Sequence, residues 1–222
     1  MSSMNLPSTH DVLDAAEHLL SGARLLIEDF DWKHYEQLLE AIGNRSRWRV
    51  SYDHGRLEIL SPSPRHDKFG ALIDLVVFVF MEVHDLDLES YGHATWKSKA
   101  IEVGVEPDCC YFIRKAHRVV GKLDFNMAVD PPPDVAVEVD LTRSSFKKLS
   151  IYAALGVPEV WRFHGNAFTF HALEGGRYSE LQASRIVPQL TGAIMVEAIE
   201  DCVLHGQTKA LKAFRRRLLA TK

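Results

Sequence analysis

The 222-residue sequence predicts an α/β fold, with a mixed β-sheet core flanked by helices and a helical extension at the N-terminal end. The strongest indication is the run from Pro131 to Phe163. Within it, valines occupy every second position of residues 134–139, as expected for one face of a strand. A short helical stretch follows and ends at Gly156. Residues 160–163 then have the composition of a second buried strand. The order strand, helix, strand is typical of a crossover connection within one sheet.

A second indication is a helix over residues 66–84 that is apolar on nearly every side. Such a helix is expected to pack against a sheet. Residues 48–60 contain two runs in which apolar and polar residues alternate, joined at Asp53-His54-Gly55, and this pattern predicts a hairpin. The other predicted elements are two N-terminal helical segments ending by Gly43, strands over residues 91–101 and 103–113, a hairpin over residues 167–182 and a C-terminal helix over residues 207–219.

No internal repeat, low-complexity segment or linker divides the chain, so the sequence predicts one domain over residues 1–222. Residues 1–45 form its helical extension and residues 46–165 its core. Residues 166–222 add the C-terminal hairpin and helix. The basic residues of this last helix, Lys209, Lys212 and Arg215–Arg217, are interpreted either as a solvated face or as a nucleic-acid or partner contact.

Composition restricts the function classes. The chain has 30 acidic and 26 basic residues and a net charge of −4, so a nucleic-acid surface has to be local. Cys109, Cys110 and Cys202 lack zinc-ligand spacing and are expected to be reduced thiols. The N-terminus has no signal-peptide pattern, and the most apolar segment, residues 71–81, is too short to cross a bilayer. We therefore expect a soluble cytoplasmic protein without a membrane partner.

Three carboxylates and a lysine are candidates for a functional site. Glu138 and Asp140 lie on the same face of the strand over residues 134–139, opposite its valines. Adjacent carboxylates on a buried strand are unfavourable unless a cation neutralises them. Without a metal ion, at least one of them should have a raised pKa. Lys148 begins the following helix and can reach back to them. Asp108 follows Pro107, which disturbs its strand. A partly exposed ion pair is the alternative interpretation.

These residues resemble the PD-(D/E)xK nuclease superfamily, which has the restriction-endonuclease-like fold. Within it, the chain is most similar to a family of restriction-endonuclease-like proteins once described as a domain of unknown function. The resemblance covers residues 48–163, with its most diagnostic part in residues 153–161. The matching segments are Gly55-Arg56-Leu57-Glu58 before Ser61-Pro62, His66, Trp96-Lys97, Glu106-Pro107-Asp108, Val137-Glu138-Val139 and Ala153-Ala154-Leu155-Gly156-Val157-Pro158-Glu159-Val160-Trp161.

The resemblance implies a Mg²⁺-dependent endonuclease that hydrolyses DNA phosphodiester bonds, with Mn²⁺ as a possible substitute and a homodimer as a possible assembly. Asp108, Glu138 and Lys148 would be catalytic, and Asp108, Glu138 and Asp140 would hold the metal. The superfamily's usual lysine position is Asp140 here, so Lys148, or Lys147 beside it, would supply the ammonium. Asp140 is then either a further ligand or an ion-pair partner of Lys148. The alternatives are an inactive nucleic-acid- or protein-binding member and a metal hydrolase of another phosphoester.

Overall fold

A computed structural model of the chain describes residues 7–43, 47–141 and 148–221. Its helices are α1 (Thr9–Glu17), α2 (Trp32–Ile42), α3 (Pro64–His84), α4 (Lys148–Ala154), α5 (Gly192–His205) and α6 (Gln207–Ala220). Its strands are β1 (Arg24–Ile27), β2 (Arg49–Asp53), β3 (Arg56–Leu60), β4 (Glu89–Ser90), β5 (Trp96–Ser98), β6 (Val103–Val105), β7 (Cys109–Phe112), β8 (Val135–Val139), β9 (Glu159–Phe163), β10 (Phe168–Glu174) and β11 (Arg177–Leu181). No helix within these ranges is long and apolar enough to cross a membrane.

The strands form two sheets. The first has five strands in the order β1-β3-β2-β6-β5, and every neighbouring pair is antiparallel. The second has six strands in the order β11-β10-β9-β8-β7-β4, antiparallel except for the parallel pair β8 and β9. This mixed sheet with its flanking helices confirms the predicted fold class.

The unit β8-α4-β9 is the predicted crossover connection. Its parallel register places Glu138 directly beside Arg162. The three valines of β8 belong to the apolar cluster that includes α3, whereas Ala136 belongs to the cluster that includes α4. Because side chains alternate along a strand, Glu138 shares the α4 side with Ala136. The next helix therefore lies over the carboxylate that precedes it in the chain.

Helix α3 lies on the opposite face of the second sheet. Ser63 caps its first turn by accepting a hydrogen bond from the His66 amide, and Pro64 stands at its start. Val76 is fully buried and belongs to the same apolar cluster as the valines of β8 and Trp161 of β9. The predicted burial of this helix against the central sheet is confirmed.

Residues 103–113 do not form the single strand that the sequence predicts. β6 ends at Val105 in the first sheet, and β7 begins at Cys109 in the second. The Glu106 amide still donates to Val50 of the first sheet, whereas the Asp108 amide donates to Val137 of the second. Pro107 stands between them and has no N–H to continue either ladder. The chain changes sheets at this proline, directly before Asp108.

Other segments also differ from the sequence prediction. Only Trp96–Ser98 of the strand predicted over residues 91–101 pairs in a sheet, and a 3₁₀ turn follows it. The N-terminal extension is not purely helical, because β1 pairs with β3 at the edge of the first sheet. An additional helix, α5, precedes the predicted C-terminal helix and packs in the same core as α3.

Candidate active site

The carboxylate of Glu138, near the end of β8, is held by two donors from α4. The Lys148 ammonium donates to Oε2 over 2.7 Å, and the Tyr152 hydroxyl donates to Oε1. Burial raises the pKa of Glu138 to about 7; Lys148 opposes this rise, and the nearby charge of Asp108 adds to it. The predicted raised pKa among the clustered carboxylates is thus found at Glu138.

Lys148, at the first residue of α4, is a partly buried cation whose side chain is 13% exposed. Burial alone lowers the pKa of its ammonium, but the negative charges of Glu138 and Asp108 outweigh burial and raise the pKa above its usual value. Lys148 is therefore charged at neutral pH. Lys147, the other candidate for this position, lies outside the described residues.

Asp108 lies where the chain passes from the first sheet to the second, and hydrogen-bond donors hold one of its two carboxylate oxygens. Its Oδ2 accepts from the Val139 amide over 2.7 Å and lies 3.3 Å from His66 Nε2. Its Oδ1 is 3.7 Å from Arg49 Nε and, among the described residues, has no hydrogen-bond partner. Burial favours a raised pKa, but the hydrogen bond and charge of His66 outweigh it and lower the pKa of Asp108.

Asp140 follows β8 and is paired with a cation other than Lys148. Its Oδ2 accepts from Arg162 Nε over 2.9 Å and lies 2.8 Å from Arg162 Nη2. Between the two roles left open for Asp140, the described contacts therefore favour an ion pair, but the partner is the arginine of β9. The predicted contact from Lys148 goes to Glu138 instead.

The first sheet adds a fourth carboxylate. Glu58 of β3 is 1% exposed, and its Oε2 lies 3.7 Å from Arg24 Nε of β1. Burial raises the pKa of Glu58, whereas the charges of Lys148 and Arg24 oppose that rise. Lys148 thus interacts electrostatically with acidic side chains from both sheets.

Two cavities meet at His66. One, of about 290 Å³, is lined by Glu138, Asp140, Lys148 and Arg162 together with His66. The other, of about 330 Å³, is lined by Asp108, Arg49 and again His66. The two predicted metal ligands Asp108 and Glu138 therefore line different cavities, with the imidazole of His66 bordering both.

Comparison with known proteins identifies the family to which the chain belongs. The model of a family named Uma2, described as "Putative restriction endonuclease", matches residues 32–201, which is most of the chain. The chain belongs to the Uma2 family. Its resemblance to restriction-endonuclease-like proteins is thereby confirmed. The chain is also similar in structure to a putative nuclease belonging to DUF820 from Anabaena variabilis ATCC 29413, determined at 1.96 Å resolution, with 12% identity and a TM-score of 0.48 over 68% of this chain and 90% of that chain. No curated protein matches the sequence.

The donor set of this Uma2 chain fits a hard cation with few protein ligands. Within the described ranges, no group of three or more His, Cys, Asp or Glu side chains is arranged to hold a metal ion. Mg²⁺ does not need such a group, because it is commonly held by one or two carboxylates and keeps several waters. Asp108 Oδ1, buried without a hydrogen bond among the described residues, is an oxygen that a cation would satisfy.

Sequence reasoning missed three side chains of this Uma2 site. His66 was matched only as part of the family resemblance and was assigned no contact, whereas the structure buries it against Asp108. Tyr152 was assigned no role, although it lies four residues after Lys148 and thus on the same helix face. Arg162 had a detectable signal, because an arginine inside a short buried strand needs an acidic partner.

Proposed function

We propose that this Uma2 protein is an endonuclease that hydrolyses DNA phosphodiester bonds, with Mg²⁺ as its cofactor and Mn²⁺ as a substitute. One observation carries the proposal. Glu138 is buried beside a charged ammonium at 2.7 Å, and Asp108 is near enough to change the pKa of both groups. Asp108 and Glu138 are the residues that would hold the ion. When bound, the ion would lower the pKa of a coordinated water and neutralise charge on the phosphate.

The remaining side chains orient these groups or supply charge. The ammonium of Lys148 provides a fixed positive charge for the phosphate oxygens as negative charge develops on them. Tyr152 holds Glu138 Oε1, and His66 and the Val139 amide hold Asp108 Oδ2. Because these donors approach from three different elements, they restrict the rotation of both carboxylates before substrate binds.

A second candidate function, nucleic-acid binding without cleavage, is favoured by one specific observation. Both oxygens of Glu138 already accept hydrogen bonds, and its pKa of about 7 keeps it partly protonated near neutral pH. A carboxyl group must be ionised to bind a metal well. In a binding protein, the same cationic side chains would contact phosphates without catalysing hydrolysis.

The deciding experiment incubates the protein with supercoiled plasmid, single-stranded DNA and RNA, each in Mg²⁺, in Mn²⁺ and in EDTA. Nicking or linearisation of plasmid that depends on metal, and that is lost in Asp108→Asn and Glu138→Gln, supports the endonuclease. Glu180→Gln on β11 is the control, because Glu180 is an exposed carboxylate outside both cavities. DNA binding without cleavage under any condition would support the second candidate, and cleavage of RNA alone would contradict both.

A further inference from the structure

Arg162 is a cation in the first cavity to which neither the family resemblance nor the proposed mechanism assigns a role. It lies on β9 in direct register with Glu138 on β8, so the two side chains share one sheet face. Both line the cavity of about 290 Å³. Strand neighbours in one sheet are about 5 Å apart, so Arg162 lies one strand away from the candidate catalytic carboxylate.

Asp140 holds Arg162 without using all of its donors. Arg162 Nε and Nη2 both approach Asp140 Oδ2, at 2.9 and 2.8 Å. A guanidinium has five N–H groups, so this contact occupies only part of its donor capacity. The arginine side chain is 30% exposed and that of Asp140 is 16% exposed, so the cation is the more accessible member of the pair.

The pair also occupies the place where this chain departs from the superfamily pattern. Position 140, two residues after Glu138, carries a carboxylate instead of a lysine. Through its contact with Arg162, that carboxylate brings a guanidinium to the same end of β8. An arginine and a lysine differ here, since the planar guanidinium can bind two oxygens of one phosphate, whereas an ammonium acts as a point charge.

We propose that Arg162 binds a phosphate group of a nucleic-acid strand, adjacent to the phosphate that faces Lys148, and that Asp140 is its positioning residue. This inference rests on the proposed function, which supplies the strand in the cavity. It assigns Asp140 to the orientation of a substrate contact and leaves Asp108 and Glu138 as the metal ligands. It also predicts a preference for polymeric DNA over a mononucleotide phosphoester, because a mononucleotide lacks the second phosphate.

Binding is measured by fluorescence anisotropy with a fluorescein-labelled single-stranded DNA 12-mer in EDTA, over a series of salt concentrations. Arg162→Gln should weaken binding about tenfold and reduce the salt slope by about 0.7, the value for the loss of one phosphate contact to a single strand. Arg162→Lys should restore the slope but only part of the affinity. Asp140→Asn should change the affinity for DNA when Arg162 is present. It should have no effect in the double variant that also carries Arg162→Gln.

Arg185→Gln is the matched control, because Arg185 forms an arginine–carboxylate pair with Glu174 outside the cavity. An Arg162→Gln variant that melts like the wild type and keeps its DNA affinity and salt slope overturns the inference, and so does a wild type that does not bind the 12-mer. If Arg162-dependent binding is found while plasmid stays uncut in both Mg²⁺ and Mn²⁺, the nuclease proposal fails and the phosphate contact stands.

Discussion

Asp108 and Glu138 are both buried carboxyl groups, yet their pKa values shift in opposite directions. At Asp108 the hydrogen bond and charge of His66 outweigh the effect of burial, and the pKa falls below its usual value. At Glu138 burial outweighs the effect of Lys148, and the pKa rises to about 7. Ionised Asp108 therefore favours the folded state, whereas ionisation of Glu138 opposes it.

Glu138→Gln should make the stability of the protein less dependent on pH. With a pKa of about 7 in the folded state and an ordinary value of 4.5, Glu138 binds more protons when folded, so its contribution makes stability fall as pH rises from 4.5 to 7. That loss is roughly 3 kcal/mol. Urea unfolding at several pH values measures it. Glu58 and His66, whose pKa values are also raised, leave some slope in both proteins. A slope equal to that of the wild type would contradict the shift.

In the same experiment, the pH dependence of stability that Asp108→Asn removes should have the opposite sign to the one that Glu138→Gln removes. Because the pKa of Asp108 is lowered in the folded state, its stabilising contribution is present above the unfolded value of 3.8 and is lost as pH falls through the folded pKa. The asparagine variant should therefore be less stable than the wild type at neutral pH. Loss of the carboxylate is therefore expected to leave stability at neutral pH unchanged or improved for Glu138, but not for Asp108.

Lys148→Met should separate ion binding from turnover. Methionine keeps the buried stem but removes the charge that would stabilise phosphate oxygens, so cleavage should fall by a factor of about 100 or more. Mg²⁺ binding, measured by calorimetry above pH 8, should persist because Asp108 and Glu138 remain. The high pH matters, since loss of the ammonium raises the pKa of Glu138 further. Unchanged cleavage would exclude Lys148 from the reaction.

Sequence reasoning found the side chains whose position follows from strand alternation or from an adjacent element. Glu138 lies on the predicted face of β8, and Lys148 begins the helix that folds back over it. His66 and Arg162 could not be placed in this way. The contact of His66 with Asp108 depends on how a helix and a strand distant in sequence come together. The contact of Arg162 with Asp140 depends on the exact register of the parallel pair β8 and β9, which the predicted crossover does not specify.

At the scale of an element, helix α3 could be predicted from composition alone. Its apolar composition predicted burial, and the structure places it on the second sheet. Val76→Asp should unfold or aggregate the protein, because it buries an unpaired charge at a position with 0% exposure and costs about 4 kcal/mol or more. Phe78→Asp is the control on the same helix, since Phe78 is 58% exposed. Thermal melts that show equal losses for the two variants would contradict the placement of α3.

Gly104 of β6 allows helix α2 to pack closely on the first sheet. A Cβ atom built at Gly104 would lie 2.1 Å from the Tyr35 hydroxyl. Tyr35 cannot easily move away, because it is fully buried and stacks on Tyr52 with ring centroids 4.7 Å apart. Gly104→Ala should therefore cost about 1–3 kcal/mol.

Gly70→Ala is the matched control for this substitution. Gly70 lies inside α3, where the nearest atom to a new Cβ is Cys109 Sγ at 4.0 Å. Alanine is favoured over glycine in a helix interior, so this variant should be neutral or up to about 1 kcal/mol more stable. Thermal denaturation compares the two. A Gly104→Ala variant as stable as the wild type would show that Tyr35 is not constrained.

Long periodic segments could be predicted as elements, whereas short or edge segments could not. β1 has four residues and acquires its structure from pairing with β3. The division of residues 103–113 into β6 and β7 depends on the second sheet offering a partner to the segment after Pro107. A sequence pattern marks the disturbance at a proline but does not say which sheet each half joins.

Part of the basic charge of α6 is neutralised by acidic residues elsewhere in the molecule. Two of the basic residues of α6 pair with acidic side chains of other helices: Arg215 with Glu82 of α3, and Arg217 with Glu197 of α5. These contacts favour a solvated, internally neutralised face for α6 over a nucleic-acid contact. In a protein with a net charge of −4, this leaves the cavity lined by Lys148 and Arg162 as the better candidate for a local phosphate-binding surface.

The candidate site joins the two sheets, so ion binding should stabilise the whole fold. Arg49 belongs to the first sheet and Glu138 to the second, and Asp108 lies where the chain passes between them. Mg²⁺ at about 100 times its Kd should add about 2.7 kcal/mol, or roughly 5–10 °C in Tm. Calorimetric melts should show one transition that moves as a unit, because an ion that binds only the folded state stabilises that state as a whole. Asp108→Asn and Glu138→Gln should lose the increase, and NaCl at equal ionic strength should not reproduce it. An equal increase in Asp108→Asn would place the ion elsewhere on the protein.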